Sequence, residues 1–582
     1  MTNFSQPKGK QNLLSRIGVS TTVASLIIFV FLPSFFLVSF TFTRWPEVYT
    51  EVFSNPLIGD TNWILIQKYL ALSLRIAIFA VIIDLVVGLP LAYILARKNF
   101  WGKGFLEDLI TFTLVIPTSG FGFATLIAWT SASGIGALLT GGNVQINSVI
   151  PVLNVPLLML VIHVALTFPY IVKTLKAKLE DMSTLLEQAS GTLGASPLTT
   201  FRKVLFPLTL PAIFSGAVLA FARSLGETGA TLVVAGIFTT APIAVISWVS
   251  QFKFGSAAFL GSLLIIVASA IILPIEYFLQ KKGVTSFSFF STLRIEKRLQ
   301  KIEDFASRKL SRVRDLVVIL FLVIVVVVPI FYVMNSVALN WNSNPNTGEV
   351  TDSVVYQLFG PSNYFSALIN ATLISFASAA IATYIATCIA IPTVFLIMRS
   401  RFGRFLRTLL RIPLIVPTSA LGLSILLLWG PGGLRLANPG IWLIILTHIV
   451  FSVPVVVEPM LATFEGSDIP LYVGASRTLG ATSYNSVESI SLPLLKRGIL
   501  TGVILSFTRS LGETGATFLV MGSDITIPPL VVNMVESLMY PAAFFASTYL
   551  IVLAFVLLMV FRKVTTRSVS YTHLTLPTIL LV

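Results

Sequence analysis

The sequence predicts an all-α polytopic membrane protein of about twelve transmembrane helices, arranged as two parallel six-helix repeats. Three observations carry this expectation. Apolar residues make up 55% of the 582 residues and charged residues only 11%, where a soluble domain is about one quarter charged. Apolar runs of roughly 20 residues, enough to cross a bilayer as a helix, recur from end to end. The string Arg-Ser-Leu-Gly-Glu-Thr-Gly-Ala-Thr occurs at 223–231 and again at 509–517, an offset of 286 residues, and such self-similarity marks a duplicated architecture.

In order, the basic N-terminal residues Lys8, Lys10 and Arg16 precede an apolar run at 20–42. That run is too long for a secretory signal and lacks a small-residue cleavage site after it, so it reads as an uncleaved first span with its N-terminus in the cytoplasm. Five more runs follow at 69–96, 108–131, 153–173, 209–237 and 256–280. The second set lies at 313–336, 365–398, 405–430, 440–462, 496–521 and 542–562.

The charges test this topology. The even-numbered connections hold Arg97, Lys98 and Lys103, then Lys176, Lys178, Arg202 and Lys203, then Arg399, Arg401 and Arg404, and finally Arg562, Lys563 and Arg567. The outer connection 337–364 has no Lys or Arg and carries Glu349 and Asp352. This is the positive-inside pattern. It places both termini in the cytoplasm of a cell (inner) membrane protein, and it accounts for the net charge of +15 without nucleic acid as a partner. The one cysteine, Cys388, and three histidines give no internal disulfide and no metal site.

Three divisions follow: a first half at 1–280 with its core at about 69–280, a basic linker at 281–312, and a second half at 313–567. Ten basic residues fall between Lys281 and Arg314. Arg294 to Leu310 is compatible with a short amphipathic helix on the anionic inner leaflet or with a solvated linker. Residues 568–582 resemble translated read-through of a sequencing adapter and are read as a non-native tail.

The duplication extends beyond the string. Ile116-Pro117-Thr118-Ser119 answers Val416-Pro417-Thr418-Ser419, His163 and Pro169 answer His448 and Pro454, and Gly194 and Pro207 answer Gly480 and Pro493. Corresponding spans run in the same order and each half has an even number of them, so the halves are related by an axis along the membrane normal.

Between the fourth and fifth spans of each half lies a loop with a helix-compatible piece, a glycine, nine residues and a proline that starts the next span. In the first half it holds Glu187, Gln188, Ala189, Ser190, Gly191, Gly194, Ala195 and Ser196; in the second, Gly474, Ala475, Ser476, Arg477, Gly480 and Ala481. Glycine permits a sharp turn, and small residues let a partner approach the backbone. The pattern resembles the EAA loop of ABC importer permeases: Glu-Ala-Ala, three residues, Gly, nine residues, Ile-x-Leu-Pro. Gly480, Ile490, Leu492 and Pro493 match it in spacing, as do Gly194, Val204 and Pro207 with a conservative change. The leading glutamate is replaced by Gln188 and Gly474, although Glu187 lies one residue away, and the second alanine becomes Ser190 and Ser476.

The resemblance implies a fused two-half permease of the type I ABC importer fold. Each loop would then be a coupling helix seated on one of two copies of a cytoplasmic ABC ATPase, and an extracytoplasmic binding protein would deliver substrate. The chain holds no Gly-x-x-x-x-Gly-Lys-Ser/Thr phosphate loop. It is therefore expected to be a transport subunit rather than an enzyme and to bind no cofactor itself, ATP and Mg belonging to the ATPase.

The repeated string is similar to Arg-Ala-Leu-Gly-Glu-Phe-Gly-Ala-Thr of sulfate and molybdate permeases, with related strings in ferric-iron, thiamine and phosphate permeases. The resemblance implies a small oxyanion as cargo, with ferric iron, thiamine or a polyamine as alternatives. Arg223 with Glu227, and Arg509 with Glu513, stand at i, i+4 and could pair. Gly226, Gly229, Gly512 and Gly515 keep the segment slim, and Thr228 and Thr514 offer hydroxyls. The string is expected either to line the translocation path or its gate, or to staple the core, since intramembrane charges mark pathways or buried pairs. Arg75 and Asp84 read as local contacts, and His163 and His448 as satisfied packing residues. An ion-gradient-driven secondary transporter also fits twelve spans, but it has no need of paired EAA-like loops. An intramembrane enzyme lacks a nucleophile–base or metal-ligand set.

Overall fold

The computed structural model describes residues 13–54, 59–141, 144–281, 293–345 and 347–579. Lys8, Lys10, residues 282–292 of the linker and 580–582 of the tail lie outside the described residues. Apart from one short hairpin pairing Val149–Ile150 with Val155–Pro156, the described elements are helices.

Eleven described helices are long and apolar enough to cross a membrane, and a bent pair supplies a twelfth. In the first half they are Ile17–Thr43, Asn62–Arg97, Thr118–Thr140, Leu157–Asp181, Pro197–Leu225 and Phe254–Ile275. The second half holds Ser311–Leu339, Tyr364–Arg399, the pair Gly403–Ile415 with Thr418–Trp429, Ile441–Glu465, Ser483–Leu511 and Tyr540–Lys563. Helices also recur in pairs between the halves: Phe206–Leu225 with Leu492–Leu511, Gly229–Val234 with Gly515–Val520, and Ala241–Ser250 with Ile527–Glu536.

Two of the expected continuous spans in each half are broken. The run 108–131 splits into Lys103–Val115 and Thr118–Thr130, and its partner bends by 99° between Gly403–Ile415 and Thr418–Trp429. The cause is local: a residue before proline is kept out of the α region, and Ile116 and Val416 adopt ψ of 131° and 127°. The runs 209–237 and 496–521 end as helices at Leu225 and Leu511, inside the repeated string. They begin earlier than expected, because the loop before each one is already helical from Pro197 and Ser483.

The first span of each half packs on the other half. Leu26 and Val30 sit in one apolar cluster with Ala386, Val394 and Ile449, and the buried Ser424 hydroxyl donates to the Pro33 carbonyl at 2.5 Å. Reciprocally, Val318, Leu322 and Val326 pack with Leu91, Leu95 and Phe168, and Lys98 pairs with Asp315. The linker helix Leu293–Phe305 lies against the first inter-span loop.

Close helix approach rests on glycine. A methyl on Gly122 would meet the Ala230 Cα at 2.8 Å, and one on Gly422 the Ala516 carbonyl oxygen at 2.6 Å, whereas one on Gly104 meets nothing within 4 Å. Gly122→Val or Gly422→Val is therefore expected to cost about 1–3 kcal/mol through overpacking, read as a lower thermal transition in detergent, while Gly104→Ala leaves it unchanged or slightly raised.

Candidate functional site

Four helix breaks meet between the halves. Two are the Ile116-Pro117 and Val416-Pro417 corners; the others fall within the repeated strings, at Gly226-Glu227-Thr228 and Gly512-Glu513-Thr514. They interlock reciprocally. A methyl on Gly226 would lie 3.2 Å from the Pro417 Cα, and one on Gly512 would lie 3.3 Å from the Pro117 Cα. A methyl on Gly229 would meet the Oγ1 atoms of Thr514 at 2.5 Å and of Thr118 at 2.6 Å. Its counterpart on Gly515 would meet the Thr228 Cβ at 2.7 Å and the Thr418 Oγ1 at 2.9 Å. Only glycine lets backbones and hydroxyls approach this closely.

A helix break inside a membrane frees backbone N–H groups that lipid cannot satisfy. Here the side chains of the string satisfy them. The Glu227 carboxylate accepts from the Ala230 N–H at 2.9 Å, and Glu513 accepts from the Ala516 N–H at 3.3 Å. Arg223 pairs with Glu227, as its i, i+4 spacing suggests. The second half differs: Arg509 lies over the Phe451 ring, 5.2 Å from its centroid, a cation–π arrangement. The position corresponding to Phe451 in the first half is Leu166, which offers no such face.

The histidines clamp both breaks. His163 Nδ1 lies 2.7 Å from the Ser224 hydroxyl and Nε2 lies 3.0 Å from the Thr231 hydroxyl. His448 repeats this with Ser510 at 2.5 Å and Thr517 at 2.9 Å. Each imidazole thus ties the residue before a break to one after it. Thr231 donates its own proton to the Glu227 carbonyl at 3.2 Å, so it accepts from Nε2–H and Ser224 donates to Nδ1. This role escaped the sequence, although the duplicated Ser and Thr flanking each Gly-Glu-Thr were its visible signal. Asp84 is buried and accepts from Thr167 at 2.5 Å. Arg75 donates to the Asn154 carbonyl at 3.3 Å. Both are local contacts.

The second zone is the pair of inter-span loops. Leu185–Thr192 and Ile469–Thr478 form short helices, followed by Gly194 at φ +82° and Gly480 at φ +89°. This left-handed turn disfavours other residues. Ser196 and Thr482 then cap the next helices, accepting from Thr199 N–H at 3.4 Å and Asn485 N–H at 3.2 Å. Gln188, Ala189, Gly191, Gly474, Ala475 and Arg477 are exposed, and Ala195 and Ala481 are half-buried. Arg477 donates to the Ser483 hydroxyl at 3.0 Å, and Glu187 turns inward to Arg97 at 2.6 Å. The two serines that depart from the EAA pattern brace the turns: Ser190 bonds Thr200 at 2.9 Å and Ser476 bonds Ser486 at 2.8 Å.

The loops differ in one respect. On the first, Thr199 donates to Glu303 of the linker helix at 2.7 Å and Arg202 pairs with the same carboxylate. Burial opposes ionisation of Glu303, but the Arg202 and Thr199 hydrogen bonds outweigh it and hold the carboxyl below the usual glutamate range. The second half has Glu488 where the first has Arg202. The amphipathic linker helix thus touches the first loop through Glu303.

Two six-span halves joined at a polar centre of broken helices, each with a helical inter-span loop, define a two-half polytopic membrane protein. Comparisons give the family. The model of the binding-protein-dependent transport system inner membrane component matches residues 88–285. The probable sulfate transport system permease protein cysT of Nephroselmis olivacea is 32% identical over 211 residues, covering 36% of this chain and 72% of that protein. The molybdenum transport system permease protein ModB of Haemophilus influenzae is 35% identical over 185 residues, covering 31% of this chain and 77% of its own length. The cysT protein of Chlorella vulgaris is 29% identical over 236 residues, covering 38% and 86% respectively. The chain belongs to the family of binding-protein-dependent transport system inner membrane components.

Two expectations follow from the site. His163→Ala or His448→Ala leaves a buried serine and threonine hydroxyl without their partner, a loss of about 1–3 kcal/mol seen as a lower thermal transition in nanodiscs. Glu303→Gln is expected to free the linker helix, read as faster proteolysis near 293–310. Because the folded carboxyl is held low, wild type keeps the contact above the ordinary glutamate range and loses it as pH falls through the folded value. The glutamine variant shows no such pH step.

Proposed function

We propose that this chain, with both halves in one polypeptide, forms the membrane path of an ATP-driven importer for a small oxyanion of the sulfate or molybdate type. One observation carries the coupling part. Two helix-turn-helix loops of the same geometry, in equivalent places, present exposed apolar side chains at one end. Leu193 and Leu479 are 88% and 89% exposed, and Leu185 and Leu471 are 68% exposed each. Large apolar groups left this open on rigid, capped turns suit a partner's cleft. The loops would seat two cytoplasmic ATPase subunits through Gly194 and Gly480 and the small residues around them. No phosphate-binding loop occurs in the chain, so ATP and Mg would be held by those subunits.

The cargo assignment follows from the repeated string and from the names of the relatives, which are sulfate and molybdenum permeases. In mechanism, ATP-driven closure would draw the loops together and rock the halves. The four breaks are where the halves meet, so separation there would open a path on each side in turn. Arg223, Gly226, Glu227 and Thr228, with Arg509, Gly512, Glu513 and Thr514, would line the constriction, while the histidine clamps keep each break in shape. An extracytoplasmic binding protein would present the anion at the opposite end.

The test is reconstitution of the chain with its ATPase and binding protein in liposomes, adding sulfate, molybdate, ferric iron, thiamine and spermidine singly. An oxyanion is expected to stimulate ATP hydrolysis and its own uptake. Gly194→Val with Gly480→Val should abolish the stimulation, because the left-handed backbone costs about 1–2 kcal/mol per residue for a branched side chain and the added bulk faces the partner. Gly→Asn at both positions, which tolerates the same backbone, should retain part of it. Uptake driven by a proton or sodium gradient without ATPase would overturn the assignment.

A further inference from the structure

The centre between the halves holds more polar atoms than its packing uses. The helices Thr118–Thr130 and Thr418–Trp429 begin there, one from each half. The first turn of a helix leaves N–H groups without intrahelical partners and carries partial positive charge. Their opening residues are Thr118-Ser119 and Thr418-Ser419. Both serines are fully buried, and neither hydroxyl has a hydrogen-bond partner.

A second, independent observation comes from the repeated strings. Thr514 is 2% exposed, and its buried hydroxyl is also without a partner. It shares with Thr118 the space that a methyl on Gly229 would take, at 2.5 and 2.6 Å. Across the pseudo-twofold, the Thr228 and Thr418 hydroxyls stand 2.8 and 2.9 Å from the equivalent point at Gly515. Four threonine hydroxyls, two per half, therefore converge on the seam beside two helix N-termini. Buried polar atoms left unpaired are costly, and a duplicated set of them is hard to attribute to chance packing.

The charges nearby do not fill the role. Arg223 is held by Glu227 and Arg509 by the Phe451 face. Thr228 donates to the Gly226 carbonyl at 3.3 Å, so the donors left over are the neutral hydroxyls of Ser119, Ser419 and Thr514, which suit a tetrahedral oxyanion. They bind it through several directional hydrogen bonds, yet without a full counter-charge, so release is not slow. A conducting site needs binding of this intermediate kind.

We propose that Thr118, Ser119, Thr228, Thr418, Ser419 and Thr514 form a transfer site for a dehydrated oxyanion at the seam, closed in this structure and exposed when the halves separate. The site rests on the importer function proposed above and names the groups that take the anion across.

The experiment uses the full complex in liposomes and reads labelled sulfate or molybdate uptake per ATP hydrolysed. Thr228→Val with Thr514→Val removes two hydroxyls at constant shape, and Thr228→Ser with Thr514→Ser keeps them. The valine pair is expected to lower uptake per ATP by at least about tenfold, the scale of lost hydrogen bonds to a charged group, and the serine pair to stay within about twofold of wild type. If the valine pair fails to assemble, Ser119→Ala with Ser419→Ala, which adds no bulk, is expected to show the same tenfold loss. Wild-type uptake in the valine or alanine pair overturns the site while leaving the importer intact, as does equal loss in the valine and serine pairs. A wild type that carries a cationic cargo and no oxyanion overturns the functional assignment, and the ligand of this site with it.

Discussion

Backbone hydrogen bonding in a low-dielectric slab constrains everything else in this molecule. A continuous helix satisfies its own N–H and C=O groups, and a break does not. Four breaks meet here, and each could be tolerated only where other protein groups cover it. Glu227 and Glu513 cap the restarted helices. His163 and His448 bridge the residues on either side. Gly226 and Gly512 admit the proline corners of the opposite half. The covering groups of one half thus lie partly in the other, so the centre forms only when both halves are in place.

That dependence links the centre to the outer architecture. The first span of each half packs on the partner half, with Leu26 and Val30 on one side and Val318, Leu322 and Val326 on the other. Motion of one half is therefore carried by helices rooted in both. The helical segments that restart after each turn, at Pro197 and Ser483, continue directly into Phe206–Leu225 and Leu492–Leu511, which end at the breaks. A force applied at Gly194 or Gly480 passes along one helix to the seam. The loops are not equal in this respect, because the linker helix braces only the first through Glu303.

The all-helical membrane fold and the duplication were legible in the sequence because apolar run length and an identical nine-residue string depend on nothing beyond the chain itself. The loop glycines were legible for a similar reason, since a left-handed turn shows as Gly at a fixed place, and Gly194 and Gly480 adopt it. The breaks were harder. Ile116-Pro117 and Gly226 sit inside runs whose hydropathy is uninterrupted, and hydropathy does not register a backbone corner. The histidine clamps join residues 61 to 69 positions apart, so only folded proximity reveals them. The Arg–Glu spacing is the same in both halves, yet one pair forms an ion pair and the other arginine lies over Phe451. A single substitution on a neighbouring helix, Leu166 against Phe451, accompanies that difference.

A duplicated chain faces a pairing problem, because helices of one half resemble their counterparts in the other. The ion pairs near the loop end bear on it. In the first half Glu107 on Lys103–Val115 meets Lys176 on Leu157–Asp181 at 3.3 Å. In the second, Arg407 and Arg411 meet Glu458, each at 2.9 Å. Glu107 and Arg407 occupy equivalent positions, ten residues before the two proline corners, and Lys173 is the counterpart of Glu458. The polarity of the contact is therefore reversed between halves. Exchanging partners would set Glu107 against Glu458 and Arg407 against Lys173, like-charge contacts that disfavour the exchange. The ion pairs add little to stability where solvent reaches them. Their larger effect is on which helices pair, and correct pairing is what delivers each proline corner to the glycine of the opposite string.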